Sequence, residues 1–266
     1  MGHKEKQALA LLWWQIRFAT AVAISAAVRP RAFFSKPWAI DVRIKGLGLL
    51  HVRRRDSDSD TLRQVFGQGD YDVSRFPQYE RILARYRQIL EAGRTPLVID
   101  AGANIGAASI WFAKLFPEAS IVAIEPDPDN AEICRRNTRA FKSIQVLECA
   151  LGSRGGEVYL QKEHLDSWST RTERSEEAGS GVRICTIADA EKAADGDLFL
   201  VKIDIEGFED DLFASNTEWI ERAQAIIIET HDWMLPGRYS SRTMQQALFP
   251  EGFELLLHGE NLIFVR

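Results

Sequence analysis

The stretch "VIDAGANIGAASIWFA", residues 98–113, decides the fold of this chain. Apolar residues run into Asp100, two glycines follow at Gly102 and Gly106, and good helix formers come next, which predicts a strand, a turn and a helix. Glycine lets the backbone approach a ligand without a Cβ in the way, and the free amides that begin a helix suit an anion. Neither a P-loop nor a G-x-G-x-x-G spacing is present, so we do not expect a pyrophosphate here.

Strand and helix patterns alternate along the chain on both sides of this stretch. Such alternation predicts an α/β fold with a mostly parallel sheet that is covered by helices on both faces. The last two strand patterns, "FELLLH" and "NLIFVR", are separated only by "GE" and must form a hairpin. We therefore predict a mostly parallel sheet with an antiparallel edge at its C-terminal hairpin.

The region before the sheet is predicted to hold a small hairpin and a helix. The segment "WAIDVRIKGLGLLHVRR" reads as two short strands, and "FPQYERILARYRQILEAG" has one apolar helical face that stops at Gly93. This pattern divides the chain into residues 1–93 and 94–266. We expect most of the charged stretch "RRRDSDSD" between hairpin and helix to be a solvated loop.

An apolar segment, residues 8–28, lies near the N-terminus. It is apolar on nearly every side of a helix, so we expect it to pack on the domain itself or on another subunit, as in a homodimer, or to rest on a membrane surface. A membrane span and a cleaved signal peptide are further alternatives. Arg17 near its middle argues against a span, because an arginine at the bilayer centre costs about 2.5–3.5 kcal/mol.

Composition excludes several classes of function. The net charge of -5 gives no basic footprint for nucleic acid, so no nucleic-acid partner is expected. The three cysteines are an odd number without CxxC spacing, which disfavours a zinc site or a disulfide framework and favours a cytoplasmic protein, with membrane association through the N-terminal segment as the alternative.

The second predicted strand ends in "AIEP" and places Glu125 one β-α unit after the glycine turn. An acidic side chain at that point accepts hydrogen bonds from the ribose hydroxyls of a nucleoside. A nucleoside without pyrophosphate points to S-adenosylmethionine. The expected cofactor-binding residues are Asp100, Gly102, Asn104 and Gly106 in the turn, Glu125 at the ribose, and Cys149 and Ala150 as walls of an adenine site.

A third motif, "KIDIEG", residues 202–207, ends another buried strand. Together with "VIDAGANIG", "EPDPDN", "ALG" and "IIIETH" in this order, it resembles the FkbM-type methyltransferases. The resemblance covers residues 58–230, and its one departure is "TIADAEK" before the fourth strand. It implies a class I methyltransferase fold, which is Rossmann-like with a seven-stranded sheet. It also implies S-adenosylmethionine as cofactor, and O-methylation of a sugar, glycan or natural-product hydroxyl.

Catalysis of methyl transfer to a hydroxyl needs in-line positioning and a general base. Asp204 is the first candidate for the base and His231 the second, while Glu206 either orients the acceptor or caps the following helix. No metal site is expected. The alternative is a magnesium ion held by Asp204, Glu229 and Asp232, as in some class I O-methyltransferases.

Two segments could border the acceptor. The polar stretch "HLDSWSTRTERSEEAGSG", with Trp168 inside it, is either a lid or a surface loop. The segment after the fifth strand carries Trp233 and Tyr239, which would suit the face of a sugar ring.

Two other functions stay open. One is methylation of a protein or nucleic acid, although the [DNS]PP[YF] signature of amino-group methylation is missing after the fourth strand. The other is a non-catalytic module that binds S-adenosylmethionine, because binding and catalysis use different residues.

Overall fold

A computed structural model describes residues 39–44, 47–53, 57–162, 170–174, 181–234 and 236–266. The apolar N-terminal segment lies outside these residues, so its expected contacts with a second subunit or a membrane stay predictions. Within the described ranges, no helix is both long and apolar enough to cross a lipid bilayer.

Thirteen strands and seven α-helices are found in the described residues. The strands are β1 (Ala39–Ile44), β2 (Gly48–Arg53), β3 (Pro96–Ala101), β4 (Ser120–Ile124), β5 (Ile144–Leu147), β6 (Ala150–Leu151), β7 (Gly156–Lys162), β8 (Thr170–Arg174), β9 (Val182–Cys185), β10 (Asp197–Ile203), β11 (Ala225–Glu229), β12 (Glu254–His258) and β13 (Asn261–Val265). The α-helices are α1 (Asp58–Leu62), α2 (Tyr79–Glu91), α3 (Ala107–Leu115), α4 (Pro128–Thr138), α5 (Ile187–Ala194), α6 (Glu209–Leu212) and α7 (Arg242–Leu248).

The main sheet has seven strands in the order β12-β13-β11-β10-β3-β4-β5. The five strands from β11 to β5 are parallel, whereas β13 pairs antiparallel with both β11 and β12. The predicted fold class, a mostly parallel seven-stranded sheet with an antiparallel C-terminal hairpin at its edge, is confirmed.

The parallel strands are apolar because helices cover both faces of the sheet. All six residues of β3 are buried, and so are all but the first residue of β10. Two large hydrophobic clusters lie on opposite faces, one around Val98, Leu200 and Ile227, the other around Ile99 and Val201. This alternation along neighbouring residues follows from the two-residue repeat of a strand.

The register of the central strands brings their carboxyl ends to one edge. Ala101 lies opposite both Ile124 of β4 and Ile203 of β10. The residues that immediately follow these strands therefore face the same crevice, where open α/β sheets bind ligands.

The region before the sheet contributes to the same core as the sheet. The predicted hairpin is present as β1 and β2, and the predicted helix as α2. The ring of Tyr86 on α2 lies 5.3 Å from that of Phe116 and 5.7 Å from that of Phe199 on β10. Residues on both sides of Gly93 thus share one core, and the division of the chain there stays a prediction.

One correction concerns the stretch "RRRDSDSD". Its described part is not a solvated loop throughout, because Asp58 is fully buried at the start of α1. The Arg53 guanidinium lies 2.6 Å from the Asp58 carboxylate, and this pairing offsets the cost of burying the charge.

The other corrections concern elements that the sequence pattern merged or missed. The apolar stretch "SIQVLECALG", residues 143–152, predicts a single strand, but the structure divides it into β5, in the main sheet, and β6, in a second sheet of order β6-β9-β7-β8. Strand β8 lies inside the polar stretch that was expected to be a lid or a loop. The stretch "FEDDLFASNTEWIERA", residues 208–223, predicts one helix, but the structure has the short α6 and a 3₁₀ turn at Glu218–Arg222 there.

Candidate active site

The glycine turn, residues 100–106, connects β3 to α3. Gly102, Asn104 and Gly106 all have positive φ, at 74°, 48° and 83°. The backbone amides of Gly102 and Ala103 donate to the carbonyl of Ile124, which ties the turn to the end of β4. The turn is therefore fixed against its neighbouring strand before any ligand binds.

The structure gives another reason for the two glycines than access of a ligand. A Cβ at Gly102 would lie 1.7 Å from the carbonyl oxygen of Asp204, so the backbone at the end of β10 already fills that space. A Cβ at Gly106 would lie 2.9 Å from Sγ of Cys134 and 3.0 Å from Cγ2 of Thr138. Both glycines are required by close packing of the protein itself.

Asn104 offers a hydrogen-bond acceptor in this turn. Its Oδ1 atom is buried and has no hydrogen-bond partner in the described part of the chain. A buried acceptor without a donor is costly, so a ligand that carries a donor, such as an ammonium group, fits this position.

Lys202 on β10 joins the glycine turn to the end of its own strand. Its Nζ atom lies 3.3 Å from the carboxylate of Asp100 and 3.3 Å from that of Asp204, and it donates to the carbonyl of Gly102 at 2.8 Å. Asp100 also accepts a hydrogen bond from Ser109 at 2.5 Å. Burial alone would lower the pKa of Lys202, but Tyr71 and the two aspartates together outweigh it and hold that pKa above its usual range.

Sequence reasoning named Lys202 but assigned it no role. The signal was present, because a lysine in a run of buried apolar strand residues must have charged partners. Its partners could not be read from the sequence, since Asp100 lies 102 positions away and meets it only through the pairing of β3 with β10.

Glu125 follows β4 at the same edge of the sheet. One carboxylate oxygen accepts from the amide of Asp127 and from the side chain of Asn130, and the other accepts from the amide of Asn104. Burial raises the pKa of Glu125 to about 7, although these three donors act in the opposite direction. Its side chain lies where a ribose was expected, and the contact with ribose stays a prediction.

Cys149 and Ala150 were expected to be walls of an adenine site. Both are buried, and their side chains belong to packed apolar clusters, Cys149 with Leu151 and Cys185, and Ala150 with Val158 and Ile184. Neither side chain faces open space, so a contact with adenine would have to come through the backbone, and this too stays a prediction.

Asp204, Glu206, Glu229 and His231 come together at the ends of β10 and β11, and we call them the carboxylate–histidine cluster. His231 Nε2 lies 3.6 Å from a carboxylate oxygen of Asp204, 3.7 Å from one of Glu206 and 3.8 Å from one of Glu229. The three catalytic residues predicted from the sequence thus occupy one place. Glu229, predicted only as a magnesium ligand, joins them.

His231 is almost fully buried, with a side-chain exposure of 2%. Its Nδ1 atom is 2.8 Å from the carboxylate of Glu209, which has an exposure of 1%. Burial would lower the pKa of His231, but Glu209 and the cluster carboxylates raise it to about 10. Sequence reasoning missed Glu209, because nothing in the spacing of residues 209 and 231 shows that α6 faces the end of β11.

Two carboxyl groups of the cluster, those of Glu206 and Glu229, hold their protons more tightly than usual. Burial raises the pKa of Glu206 and of Glu229, and the charge of Asp204 raises both further. His231 acts in the opposite direction on both groups. The acidic side chains therefore outnumber the positively charged ones here, and they repel one another in a partly buried place.

Glu206 does not cap the following helix. The residue before α6, Phe208, receives no side-chain cap, and Glu206 instead has a left-handed backbone with φ of 53° and contacts His231. Of the two roles left open by the sequence, capping is wrong. Orientation of an acceptor stays a prediction.

Asp232 lies apart from the cluster. Its carboxylate accepts hydrogen bonds from Ser240 and Ser241 and closes the loop that follows β11. The alternative prediction of a magnesium ion held by Asp204, Glu229 and Asp232 is therefore wrong for Asp232. The side chains of Trp233 and Tyr239 in this loop are 67% and 70% exposed, and Trp168 lies outside the described residues.

Comparison with known proteins assigns a family to this arrangement. Residues 100–255 match the model of the methyltransferase FkbM domain. The 2-O-methyltransferase NoeI of Sinorhizobium fredii is 25% identical over 60% of this chain and 76% of its own length. The hexuronic acid methyltransferase AglP of Haloferax volcanii is 27% identical over 53% of this chain and 58% of its own.

A fungal relative matches over a shorter region. The methyltransferase sdnD of Sordaria araneosa is 29% identical over 101 residues, which is 37% of this chain. The chain spans about a third of the length of that protein and more than half of the length of AglP.

Proposed function

Since this chain belongs to the FkbM methyltransferase family, we propose that it transfers a methyl group from S-adenosylmethionine to a hydroxyl oxygen of a sugar, in a glycan or a glycosylated natural product. The family consists of S-adenosylmethionine-dependent methyltransferases. The observation that carries the proposal for a hydroxyl acceptor is the carboxylate–histidine cluster beside the glycine turn. A hydroxyl group must lose a proton as it is methylated, and this cluster supplies groups that can receive it.

The glycine turn and Glu125 fit the methyl donor. The unpaired Oδ1 of Asn104 would accept from the ammonium of the amino-acid part, and the carboxylate of Glu125 would accept from the ribose hydroxyls. The contact of Gly102 with the carbonyl of Asp204 holds the turn against the cluster. Donor and acceptor sites are therefore neighbours, as in-line transfer requires.

When bound, S-adenosylmethionine supplies an electrophilic methyl group: the acceptor oxygen forms the new bond to carbon while the carbon–sulfur bond breaks and its electron pair stays on sulfur. The hydroxyl proton passes to a carboxylate of the cluster. Asp204 suits this role because its carboxylate pairs with Lys202 and a quarter of its side chain is exposed. His231, with a pKa of about 10, already holds its proton at neutral pH and is a poor base there.

Two features favour a sugar acceptor. NoeI and AglP are named for methylation at a 2-O position and of a hexuronic acid, respectively. The cluster carries an excess of acidic groups, which favours a neutral acceptor over an anionic one such as a nucleic acid. We therefore expect a neutral sugar hydroxyl as the acceptor.

A transfer assay tests the proposal. The purified chain is incubated with methyl-labelled S-adenosylmethionine and, separately, with neutral glycans, uronic-acid glycans, glycosylated natural products, protein and RNA. We expect label in the neutral sugars, lost with Asp204→Asn and kept with Glu132→Gln, which changes an exposed carboxylate paired with Arg136 on α4. Binding of the donor without transfer to any acceptor would instead indicate a non-catalytic module, and label in protein or RNA would overturn the sugar assignment.

A further inference from the structure

We propose that Asp204, Glu206 and His231 form a binding site for a divalent transition-metal ion, and that this ion holds the acceptor oxygen. The binding site itself stands on the geometry alone. The role of the ion at the acceptor rests on the function proposed above.

The three side chains present their ligand atoms at metal-binding distances. One oxygen of Asp204, one oxygen of Glu206 and a nitrogen of His231 all lie within 4.8 Å of one another. The nitrogen is 3.6 Å and 3.7 Å from the two oxygens. Two ligands that are each about 2.1 Å from an ion lie at most about 4.2 Å apart, so both nitrogen–oxygen pairs already have the separation of ligands around one ion.

The orientation of His231 is the independent observation that points to a metal. The side chain is only 2% exposed, Glu209 holds its Nδ1 atom, and its Nε2 atom faces the carboxylates of Asp204, Glu206 and Glu229. At 3.6–3.8 Å, these oxygens are too far away for a hydrogen bond and too close for an intervening water. An ion between them would satisfy the nitrogen and the oxygens together.

Glu209 completes the arrangement from behind the ring. It accepts the Nδ1 proton of His231 at 2.8 Å, which fixes the ring and leaves Nε2 as the atom available to a ligand. A carboxylate that holds the far side of a metal-binding imidazole is the usual support of such a ligand and makes it more basic. The glutamate is itself only 1% exposed, so its carboxylate contacts His231 and not the solvent.

The charges of the cluster favour a cation. Asp204, Glu206, Glu209 and Glu229 surround His231, and Lys202 is bonded to Asp204 from the side of the glycine turn. Like charges this close destabilise one another in a partly buried place. A divalent ion would relieve that repulsion, and its binding requires the imidazole to be neutral.

The ligand types select the class of metal. Imidazole suits zinc, iron and similar ions, while carboxylates also suit manganese. Magnesium and calcium prefer all-oxygen ligands, so we expect them to bind more weakly here. With such an ion bound, the acceptor hydroxyl would coordinate it and become more acidic, so it would release its proton more readily to the carboxylate oxygen of Asp204 that the ion leaves free.

The test measures Mn²⁺ binding to the full chain, stripped with a chelator, by the loss of the free-ion electron paramagnetic resonance signal. Neither methyl donor nor acceptor is added. We expect saturable binding to the wild type, with affinity reduced at least about tenfold in Glu206→Gln and His231→Ala, about 10–100-fold in Glu209→Gln, and unchanged in the control Glu132→Gln. Thermal unfolding of each variant separates loss of ligand atoms from loss of fold, and Glu206→Gln retains shape if His231→Ala does not fold.

Three results would overturn the proposal. One is the lack of saturable binding to folded wild-type protein, and another is equal binding by all the variants. The third is a loss in Asp232→Asn that Glu206→Gln does not share. Because no donor or acceptor is present, none of these results bears on methyl transfer. Conversely, transfer by protein that is free of metal would overturn the role of the ion and leave the proposed function intact.

Discussion

Gly102 and Asp204 touch through their backbones: a Cβ at Gly102 would lie 1.7 Å from the carbonyl oxygen of Asp204. The contact joins the turn after β3 to the end of β10. This contact explains the glycine at this position better than the approach of a ligand does, and it means that any side chain added there must collide with the backbone of Asp204.

Gly102→Ala should lower the free energy of unfolding by at least about 3 kcal/mol, because the methyl group adds overpacking to the strain of a positive φ. Gly252→Ala is the matched control. Gly252 has nearly the same φ, 72° against 74°, but apart from its chain neighbours no atom of the described residues lies within 4 Å of its Cβ position. Gly252→Ala should lower the free energy of unfolding by only about 1 kcal/mol, as measured by urea unfolding. Equal losses at both sites would show that the contact with Asp204 relaxes freely.

Glu125 should make the stability of the fold depend on pH. Burial raises its pKa from 4.5 to about 7, so the folded chain binds this proton more tightly than the unfolded chain. Stability should therefore fall as pH rises from about 4.5 to about 7, by roughly 3 kcal/mol in total for so buried a group. Urea unfolding across this range should show the slope in the wild type and a smaller slope in Glu125→Gln. Parallel slopes would contradict the assignment.

The same carboxyl group should control affinity for the methyl donor. Ribose hydroxyls donate to an ionised carboxylate, so we expect calorimetry to show tighter binding of S-adenosylmethionine above about pH 7 than below it. Glu125→Ala should weaken binding by roughly 1.5–3 kcal/mol at neutral pH. An affinity in this variant equal to that of the wild type would remove Glu125 from the donor site.

Asp204→Asn should separate binding from turnover. The amide keeps the shape of the side chain but cannot serve as a base or as a strong metal ligand, so the rate should fall roughly 100-fold or more while the affinity for S-adenosylmethionine is nearly kept. Steady-state kinetics with a methylated sugar as product measures both quantities, with Glu132→Gln as reference. Turnover at the wild-type rate would mean that positioning alone suffices.

Asp58 should matter for stability although it lies outside the site. Removing it leaves the charge of Arg53 buried without this partner, so Asp58→Ala should lower the free energy of unfolding by about 3–5 kcal/mol. Asp60→Ala, which breaks an exposed pair with Arg63, should change it by about 1 kcal/mol or less. Similar effects of the two substitutions in thermal unfolding would show that burial of Asp58 adds nothing.

The main sheet could be predicted because its signals are local and strong. Long apolar runs such as β3 and β10 follow from burial on both faces of the sheet. The strands β12 and β13 are joined only by "GE", and so short a connection requires a hairpin. The small sheet could not be predicted in the same way. Strand β8 is polar, and its pairing with β7 depends on contacts that no local pattern shows.

The candidate site divides in the same way. Asp204 and His231 were predictable as neighbours, because residues that follow adjacent parallel strands meet at one edge. Glu209 was not, since its contact with His231 depends on where the short helix α6 packs. Lys202 was visible as a buried lysine, but its two partners depend on register.

The bond of Lys202 to both Asp100 and Asp204 has a consequence for redesign of the acceptor specificity. One ammonium group neutralises a carboxylate on the donor side and another on the acceptor side, so an engineer who changes either aspartate also disturbs the other. The loop after β11, with its exposed Trp233 and Tyr239, carries no such shared charge. Libraries aimed at new acceptors should therefore diversify that loop and leave the lysine and its two aspartates untouched.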